Sequence, residues 1–502
     1  MSTSGARQQQ SRSEADVDAA RDILSTIFAI LAIPMLVYFI AINTSYLALI
    51  GLASRHFAKH IRRSSFTGER SMAASPLSLG ISVLMPAYNE ETVIVASVRS
   101  VIDLRYPDHE VIVVNDGSTD ATLQILIDTF GLVPDDREHP VRLHVRGHIR
   151  QVWVSRGGDF DLTVVDKENS GRSDSLNAGL RFAERDLVVM VDADSLIDPD
   201  ALLKVSKPFA DDPENTVATG GVVRAVNGCL VNRGRVVEVG MPKQLLAKIQ
   251  VVEYLRAFLL GRTGWSQLNA LVLISGAFGM FRRDVLLEVG GLDADSIGED
   301  FELVMRIHRL MRRSKRPYRV TFVAEPVSWT EVPSTMRVLA RQRRRWHRGL
   351  WEVLWKYRGM TFNPRYGVVG MVALPFYWMF ELLAPLLELS GLILVPLGLA
   401  FGLVDPGYGL LFLLVSYAYG FFVSLAALVV EEASFHRYDR WRDLGSCIWA
   451  ALAENLGYRQ LTALWRLQGW WAALRGAKQE WGVMTRAGFL EEPAVTVREV
   501  SR

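Results

Sequence analysis

The feature that most constrains the fold of this chain is an apolar run without any charged side chain at residues 23–54. A membrane-spanning helix needs about 20 residues, so this run holds one helix and is too short for two helices and a turn. Basic residues follow it, which places its C-terminal side in the cytoplasm. The preceding residues are rich in Asp and Glu, unlike the basic leader of a cleaved signal peptide. We therefore expect a disordered N-terminus at residues 1–22 and one membrane helix at residues 23–54.

A second apolar region lies toward the C-terminus. Residues 382–404 and 408–430 are almost free of charge, and each run is long enough to span a bilayer. The runs 367–380 and 444–453 are too short to span and are expected to lie at the membrane interface. Residues 361–480 are thus predicted to form interfacial and transmembrane helices, with a total number of spans known to within one.

Two glutamates lie beside the predicted membrane helices. Glu381 and Glu388 are seven residues apart and share one helical face. A charge facing lipid costs at least ~2.5 kcal/mol, so both could face the protein interior or a hydrated path. The alternative is that Glu381 lies at the level of the lipid headgroups. The sequence leaves this choice open.

Composition excludes several classes of protein. The 502 residues are too many for one ordinary core and predict two or three units. The net charge is only +2, with 56 basic and 54 acidic residues, so no general nucleic-acid binder is expected. The two cysteines are far apart in sequence and indicate neither a disulfide framework nor a metal cluster.

Between the apolar regions, residues 77–360 alternate predicted strands with helical patterns. Alternation of this kind predicts an α/β domain built on a mostly parallel sheet. Residues 133–158 match no motif and are expected to form an inserted hairpin. The predicted strands include residues 81–86, 110–116, 161–166, 187–191 and 216–223.

Polar residues follow several of these strands. Asp192 and Asp194 come directly after the apolar strand at residues 187–191, and Asp116 ends an earlier strand. Ligands bind at the carboxyl ends of strands in such sheets, and carboxylate oxygens suit a hard divalent cation. Lys167 and Arg172 surround Gly171, and cations near a helix start suit a phosphate group. Each of these stretches alone is equally compatible with an ordinary β-α turn.

Taken in order, the motifs resemble those of the family-2 glycosyltransferases, whose fold is the nucleotide-sugar-binding GT-A type. The motifs that carry this resemblance are MPAYNE, VVNDGSTD, KENSGRSDSLNAG and VDAD. GEDFEL at residues 298–303 and QRRRW at residues 342–346 resemble motifs of the membrane-integrated polysaccharide synthases of that family. WGVMTRAGF at residues 481–489 resembles a gating segment of hyaluronan and poly-N-acetylglucosamine synthases, so residues 481–502 are assigned to that segment and a tail.

The resemblance implies a donor site and a metal site. Asp192 and Asp194 would meet the ribose, the diphosphate and a Mg²⁺ or Mn²⁺ ion, and are counted as catalytic. The residues implied to bind the donor are Pro86, Tyr88, Glu90, Asp116, Lys167, Arg172, Arg345, Thr485 and Arg486.

The resemblance also implies a general base and an acceptor site. Asp300 would be the base, with a single displacement that inverts the sugar carbon. The residues implied to bind the acceptor are Ser275, Gly276, Glu299, Gln342 and Trp346. Two departures from the family pattern stand out: Gly298 occupies a position where the family usually has Thr, which is expected to leave the base in place but to loosen its surroundings, and Ala487 replaces a usual Lys.

Local alternatives remain at the last motifs. GED at residues 298–300 could simply start a helix, because acidic residues favour a helix N-terminus. The arginine-rich stretch at residues 341–348 could be a basic interfacial helix that binds anionic headgroups. Trp346 could be a membrane-interface anchor rather than a platform for a sugar.

The function expected from the resemblance is polymerisation of a UDP-sugar into a β-linked exopolysaccharide and its extrusion across the plasma membrane. The chain would be a multi-pass protein with a cytoplasmic catalytic domain, and UDP-N-acetylglucosamine is the preferred donor over UDP-glucose. Its partners would be the donor, the growing polysaccharide and the bilayer, with accessory subunits left open. The alternatives are single transfer to a lipid carrier and a catalytically idle surface or regulatory protein.

Overall fold

The computed structural model describes residues 3–63, 78–136, 143–156, 160–232, 234–435 and 440–476. The proposed gating segment, including Thr485 and Arg486, lies outside these residues, so the roles predicted for it stay predictions.

A ten-stranded sheet forms the centre of the domain, with the strand order β3-β4-β5-β2-β1-β6-β11-β8-β12-β7, and β9 and β10 form a separate hairpin. The strands are β1 (Ile81–Ala87), β2 (His109–Asp116), β3 (Leu132–Asp135), β4 (Ile149–Ser155), β5 (Leu162–Lys167), β6 (Leu187–Val191), β7 (Ser195–Ile197), β8 (Thr216–Ala225), β9 (Leu230–Asn232), β10 (Arg235–Glu238), β11 (Phe278–Arg282) and β12 (Arg319–Thr330).

The sheet is mixed rather than purely parallel. Strands β5, β2, β1 and β6 run parallel to one another, as the alternating pattern predicts. Strand β11 is antiparallel to both β6 and β8, and β7 is antiparallel to β12. The insertion does contribute a hairpin, since β3 pairs with β4 and β4 extends the sheet beside β5. The central strands are buried on both faces, which explains their continuous apolar sequences.

The helices pack on both faces of the sheet and extend away from it. They are α1 (Thr3–Arg63), α2 (Ile94–Ile102), α3 (Thr122–Phe130), α4 (Arg172–Phe182), α5 (Ala201–Asp211), α6 (Leu245–Leu255), α7 (Thr263–Gln267), α8 (Arg283–Glu288), α9 (Glu299–Arg313), α10 (Met336–Lys356), α11 (Ala384–Ala400), α12 (Pro406–Phe435), α13 (Trp441–Ala453) and α14 (Arg459–Leu474). Several π-helical segments interrupt this series: Arg256–Arg262, Val369–Ala373, Tyr377–Leu382 and Glu454–Tyr458.

Three helical stretches in the described part of the chain are long and apolar enough to cross a membrane: Arg21–Phe57, Val369–Ala400 and Pro406–Ala433. The segment 367–380, expected at the interface, largely belongs to the second stretch and continues into α11. That stretch ends at Ala400 and not at residue 404, because Gly402 adopts a left-handed conformation with φ of 66°. Such a glycine is a common helix stop.

In the structure α1 already begins at Thr3, so residues 3–22, for which the sequence predicts disorder, belong to this helix. These residues contain no proline and many good helix formers, such as Ala, Gln, Arg and Glu. Once the apolar segment has nucleated a helix, adding residues to its N-terminal end is easier than starting a new one.

Candidate active site

The candidate site lies at the carboxyl ends of the four parallel strands. In the register of the sheet, Ala87 stands beside Asn115, and Asp116 stands beside Lys167. The fourth strand, β6, ends at Val191 directly before Asp192. Strand β11 runs the opposite way, so its beginning at Phe278 pairs with Val191. Its preceding residues, Ser275 and Gly276, therefore reach the same edge of the sheet.

Asp116 binds the loop that precedes α4. Its carboxylate accepts hydrogen bonds from Lys167 Nζ at 2.7 Å, from Ser170 N at 3.0 Å and from Gly171 N at 2.9 Å. Lys167 is fully buried, and its ammonium also lies 3.3 Å from the Asp174 carboxylate. In this structure Asp116 and Lys167 thus shape the loop, and their predicted contacts with a donor stay predictions.

The inserted segment also supports this loop. The backbone N–H groups of Arg146 and Gly147 donate to the two Asp174 oxygens at 2.8 and 3.1 Å. These bonds and the one from Ser170 lower the pKa of Asp174, although burial acts in the opposite direction and is the largest single effect. Sequence reasoning missed Asp174 and Ser170. The available signal was the unusual density of polar residues at the start of an otherwise buried helix, α4.

The loop after β1 rests on the loop after β2. Asn89 has φ of 56°, its N–H donates to Ser118 Oγ at 3.0 Å, and the N–H of Glu90 donates to Thr122 Oγ1 at 2.8 Å. Glu90 is buried, whereas the Tyr88 side chain is 48% exposed. Pro86 lies within β1 itself. Among the three donor-binding residues predicted here, Tyr88 is the one with a largely open surface.

Arg172 connects the remaining parts of the site. Its Nε and Nη2 atoms lie 2.9 and 2.8 Å from Asp192 Oδ1, and Nη2 donates to the Gly276 carbonyl at 2.7 Å. Its Nη1 atom is bonded to Glu299, which also accepts a hydrogen bond from the Ser173 hydroxyl. Burial raises the pKa of Glu299, with the Arg172 charge opposing that change.

Asp300 lies one step further along the same network. Its Oδ2 atom accepts a hydrogen bond from Gly276 N at 3.2 Å, and its Oδ1 atom accepts one from Phe301 N at 2.8 Å. Asp300 sits in the first turn of α9, so the alternative that GED starts a helix is correct as local structure. It does not conflict with a role at the site, because Gly276 joins Asp300 to Arg172 and Asp192.

Helix α10 approaches this network through a contact between two glycines. A Cβ atom added to Gly349 would lie 3.0 Å from Gly298 N and 3.1 Å from Gly298 Cα. The absence of side chains at both positions lets the backbone of α10 touch the turn that carries Asp300. A larger residue at Gly298 would crowd Gly349, so the expectation that Gly298 loosens the surroundings of Asp300 stays a prediction.

The side chains of the QRRRW motif leave α10 in several directions. Arg343 lies 2.6 Å from Glu253 and has its guanidinium 4.7 Å from the centre of the Trp346 ring. Gln342 is buried, and its Oε1 atom has no hydrogen-bond partner among the described residues. Trp346 is 44% exposed and is available to a ligand. The arginines of this stretch therefore have different partners, Glu253 for Arg343, Gln468 for Arg344 and Glu352 for Arg348.

Arg345 is the arginine of this motif whose charge acts on the network. Burial lowers its pKa, and the carboxylates of Glu299, Asp192 and Asp300 act in the opposite direction. Arg345 therefore stands within electrostatic reach of the acidic cluster, where a diphosphate is expected by resemblance.

Asp192 and Asp194 fit the requirements of a divalent cation. Asp192 uses Oδ1 for Arg172 and is partly exposed, and Asp194 lies close enough for its charge to act on Tyr254. Within the described residues, no group of three or more His, Cys, Asp or Glu side chains could hold a metal by itself. Two carboxylates suit Mg²⁺ or Mn²⁺ when substrate phosphates and water complete the shell.

Two family models match the chain. The model described as glycosyl transferase family 2 matches residues 82–290, and the model described as glycosyl transferase family group 2 matches residues 187–425. The matches include the sheet, the network around Arg172, helix α10 and two of the candidate membrane helices.

Curated relatives share part of the chain. The poly-beta-1,6-N-acetyl-D-glucosamine synthase of Staphylococcus epidermidis is 30% identical over 276 residues, which is 55% of this chain and 55% of the relative. The protein of the same name from Staphylococcus aureus strain COL is 30% identical over 277 residues, with the same coverage. The matched region thus spans about half the length of these relatives.

A solved mannosyltransferase from Pyrobaculum calidifontis, in complex with GDP-Man and Mn²⁺, is 19% identical with a TM-score of 0.46 and covers 87% of this chain and 99% of its own. The resemblance drawn from the sequence motifs is confirmed by the family models for the region that they match: residues 82–290 form a glycosyl transferase family 2 domain, and residues 187–425 match glycosyl transferase family group 2.

Proposed function

We propose that this protein polymerises a UDP-sugar, with UDP-N-acetylglucosamine as the donor, into a β-linked exopolysaccharide and extrudes it through its own membrane helices. The observation that carries the proposal is the hydrogen-bonded network Asp192–Arg172–Gly276–Asp300. It brings a candidate metal ligand, a cation and a candidate base from distant parts of the sequence to one edge of the sheet. The name of the curated relatives supports N-acetylglucosamine as the sugar.

The reaction needs a base for the acceptor. A sugar hydroxyl is a poor nucleophile, and a carboxylate within hydrogen-bond reach activates it by accepting its proton. Asp300 would take this proton as the hydroxyl oxygen bonds to the donor's anomeric carbon. The bond between that carbon and the diphosphate breaks at the same time. One base and one displacement invert the anomeric carbon, which gives a β-linkage from an α-linked donor.

The leaving diphosphate gathers negative charge as its bond breaks. Arg172 and Arg345 are the cations of this site, and fixed positive groups stabilise such charge without moving a proton. A divalent ion bound to Asp192 and Asp194 would supply further positive charge to the diphosphate. Tyr88, with its exposed ring, would cover the nucleoside.

The acceptor would approach along helix α10. The exposed face of Trp346 offers a pyranose ring an aromatic surface, and the buried Oε1 atom of Gln342 offers an acceptor for a sugar hydroxyl. Ser275 lines the same small cavity as Asp300, and Glu299, which directly precedes Asp300, is bound to Arg172. The three candidate membrane helices, of which the first is followed by basic residues, support a multi-pass protein with the site on the cytoplasmic face.

The test uses the full chain in lipid nanodiscs with labelled UDP-N-acetylglucosamine and Mg²⁺ or Mn²⁺. We expect a long labelled product from the native protein and a loss of at least about 100-fold in the Asp300→Asn variant, because general bases contribute about that much or more. Asp284→Asn, at a mostly exposed carboxylate on α8, is the matched control and should retain activity.

Other outcomes separate the alternatives. Transfer that is unchanged by Asp300→Asn would remove the base assignment. UDP release with a short lipid-linked product would favour single transfer to a carrier, and a strong preference for UDP-glucose would change the donor. No transfer by the native protein with any UDP-sugar would favour an idle protein on this fold.

A further inference from the structure

Arg262 is a buried arginine that has no role in the proposed reaction as described above. It ends the π-helical segment Arg256–Arg262, and its guanidinium lies 3.8 Å from the centre of the Phe258 ring. Its Nη1 atom is buried without a hydrogen-bond partner among the described residues. Burial lowers the pKa of Arg262 to about 10. A buried charged donor without a partner is unfavourable, so its retention points to a ligand that completes its hydrogen bonds.

Ring contacts link the region around Arg262 to the turn that carries the candidate base. The ionisable groups whose charges act on it are Tyr377, Asp300 and Tyr254. Tyr377 lies between two other rings, 5.7 Å from Phe301 and 6.3 Å from Trp265. Phe301 directly follows Asp300 in α9. Tyr377 therefore packs on one side of the turn that carries Asp300, and Arg262 is linked to that side through Trp265 in the helix that follows it.

This side of Asp300 faces the candidate membrane helices. Tyr377 belongs to the apolar stretch Val369–Ala400. Two residues beyond Arg262, Gly264 packs so closely on α1 that an added Cβ would lie 2.8 Å from Leu49 Cδ2. The Tyr377 hydroxyl makes no hydrogen bond to any described residue. Arg262 and Tyr377 both lie on π-helical segments, which are rare and frequent at functional sites.

The chemistry around Arg262 suits an uncharged ligand rich in oxygen. No second cation is among the groups that act on Arg262, whereas the Asp300 carboxylate is. The negative charge of Asp300 would repel a phosphate. The cations that suit a phosphate are Arg172, which is bound to Asp192, and Arg345, on which the charge of Asp192 acts. Phe258 and Phe301 are buried, whereas Tyr377 is only partly buried and is the ring of this region that a saccharide can contact.

We propose that Arg262 and Tyr377 bind the acceptor saccharide on the membrane side of Asp300, donating hydrogen bonds to its hydroxyl or amide oxygens. This inference rests on the proposed function and deepens it. In this arrangement the two π-helical segments hold the sugar unit that precedes the terminal sugar of the acceptor. The reacting hydroxyl of the terminal sugar then stays within reach of Asp300.

The experiment measures both substrates of the full chain in lipid nanodiscs. The acceptor is a β-1,6-linked N-acetylglucosamine trisaccharide, and the donor is UDP-N-acetylglucosamine. For Arg262→Ala we expect the KM for the trisaccharide to rise about tenfold or more, since hydrogen bonds to charged groups are among the stronger ones. The KM for the donor and the rate of UDP release without acceptor should stay within about twofold.

Two gentler variants cover the case in which Arg262→Ala does not fold. Arg262→Lys keeps the charge but loses the planar fork of donors, so it should also raise the acceptor KM. Tyr377→Phe removes a single hydroxyl and should raise it by about threefold or more. Arg309→Ala is the matched control, because Arg309 also stacks on an aromatic ring, 4.9 Å from the centre of Tyr357, away from this region.

The outcomes distinguish this inference from the proposed function. A rise in the donor KM with an unchanged acceptor KM would overturn it and assign Arg262 to the diphosphate. If the native protein transfers the sugar and the folded variants show an unchanged KM for the trisaccharide, this inference is overturned and the proposed function is not. Absence of transfer by the native protein would overturn the proposed function and this inference together.

Discussion

At the scale of single residues, Arg172 decides how the site is arranged. It is the side chain that contacts Asp192, Gly276 and Glu299 at once, and it follows directly on the loop that Asp116 fixes. A planar guanidinium can serve three acceptors in fixed directions, which an ammonium cannot do with the same geometry. These partners lie between 20 and 127 positions away from Arg172 in the sequence.

A second residue, His308, makes the stability of the domain depend on pH. Its Nε2 atom lies 2.9 Å from the Leu271 carbonyl, so this atom carries the proton and Nδ1 accepts from the Tyr318 hydroxyl at 2.8 Å. Burial lowers the pKa of His308 to about 4. Because Leu271 begins the stretch that leads to Gly276, neutral His308 also holds the backbone beside Asp300.

We predict that the unfolding free energy falls as the pH drops from 6.5 to 4. In that window the unfolded chain binds a proton at His308 and the folded chain does not, so protons favour unfolding. The full effect of this residue is roughly 3 kcal/mol. Thermal unfolding of the purified protein at several pH values measures it.

The control for this prediction is His308→Gln, which cannot gain a charge. The variant should be less stable at neutral pH but should lose less stability on acidification than the native protein. Identical pH dependence in the two proteins would show that His308 is not responsible.

At the scale of elements, the distance between α9 and α10 is set by backbone contact. Gly298 precedes α9 and Gly349 lies within α10, and a Cβ atom added at either position would lie 3.0 to 3.4 Å from the backbone of the other element, which is a tight contact. Helix α10 is held from its other side by α14, where a Cβ on Gly469 would lie 2.3 Å from the Arg344 carbonyl oxygen. The helix that carries Gln342 and Trp346 therefore has little freedom to move away from Asp300.

We predict that Gly349→Ala separates the two helices and impairs transfer. Overpacking of this kind costs about 1–3 kcal/mol of stability, and a displacement of catalytic groups by about 1 Å can cost about 100-fold in rate. Steady-state kinetics should show a lower kcat with a nearly unchanged donor KM. Gly359→Ala is the control, because a Cβ there meets nothing within 4 Å. Equal activity of both variants would contradict the prediction.

At the scale of the whole molecule, buried ion pairs join the catalytic domain to the apolar helices. Arg224 on β8 pairs with Glu431 on α12, and both side chains are almost fully buried. Arg256 forms a second pair with Glu454, with the closest atoms 2.6 Å apart. The first pair couples the sheet directly to a candidate membrane helix, and the second couples the π-helical segment Arg256–Arg262 to the segment before α14.

We predict that Glu431→Gln destabilises the protein by about 3–5 kcal/mol, because it leaves the Arg224 charge buried without its counter-charge. The double variant Arg224→Met with Glu431→Leu should recover most of that loss, since an apolar pair of similar size needs no charge compensation. Thermal unfolding in nanodiscs measures both. A double variant as unstable as the single one would show that the two side chains are not coupled.

The sequence determined much of the architecture, because the relevant signals are local. Continuous apolar runs such as residues 187–191 predict buried parallel strands, and the polar residues after them must lie at one edge of the sheet. The long charge-free runs predict the three apolar helical stretches for the same reason. The antiparallel half of the sheet was not predicted, since short apolar strands look the same in either direction.

Only the tertiary structure decided which of these residues meet. Asp116 turned out to bind Lys167 and the loop before α4, Gly298 to touch Gly349, and Tyr377 to pack against Phe301 next to Asp300. None of these contacts follows from spacing or composition, because each joins residues on separate elements whose distance depends on how the helices pack. Local sequence fixes which groups reach the sheet edge, whereas packing fixes the distances between them, and the chemistry depends on those distances.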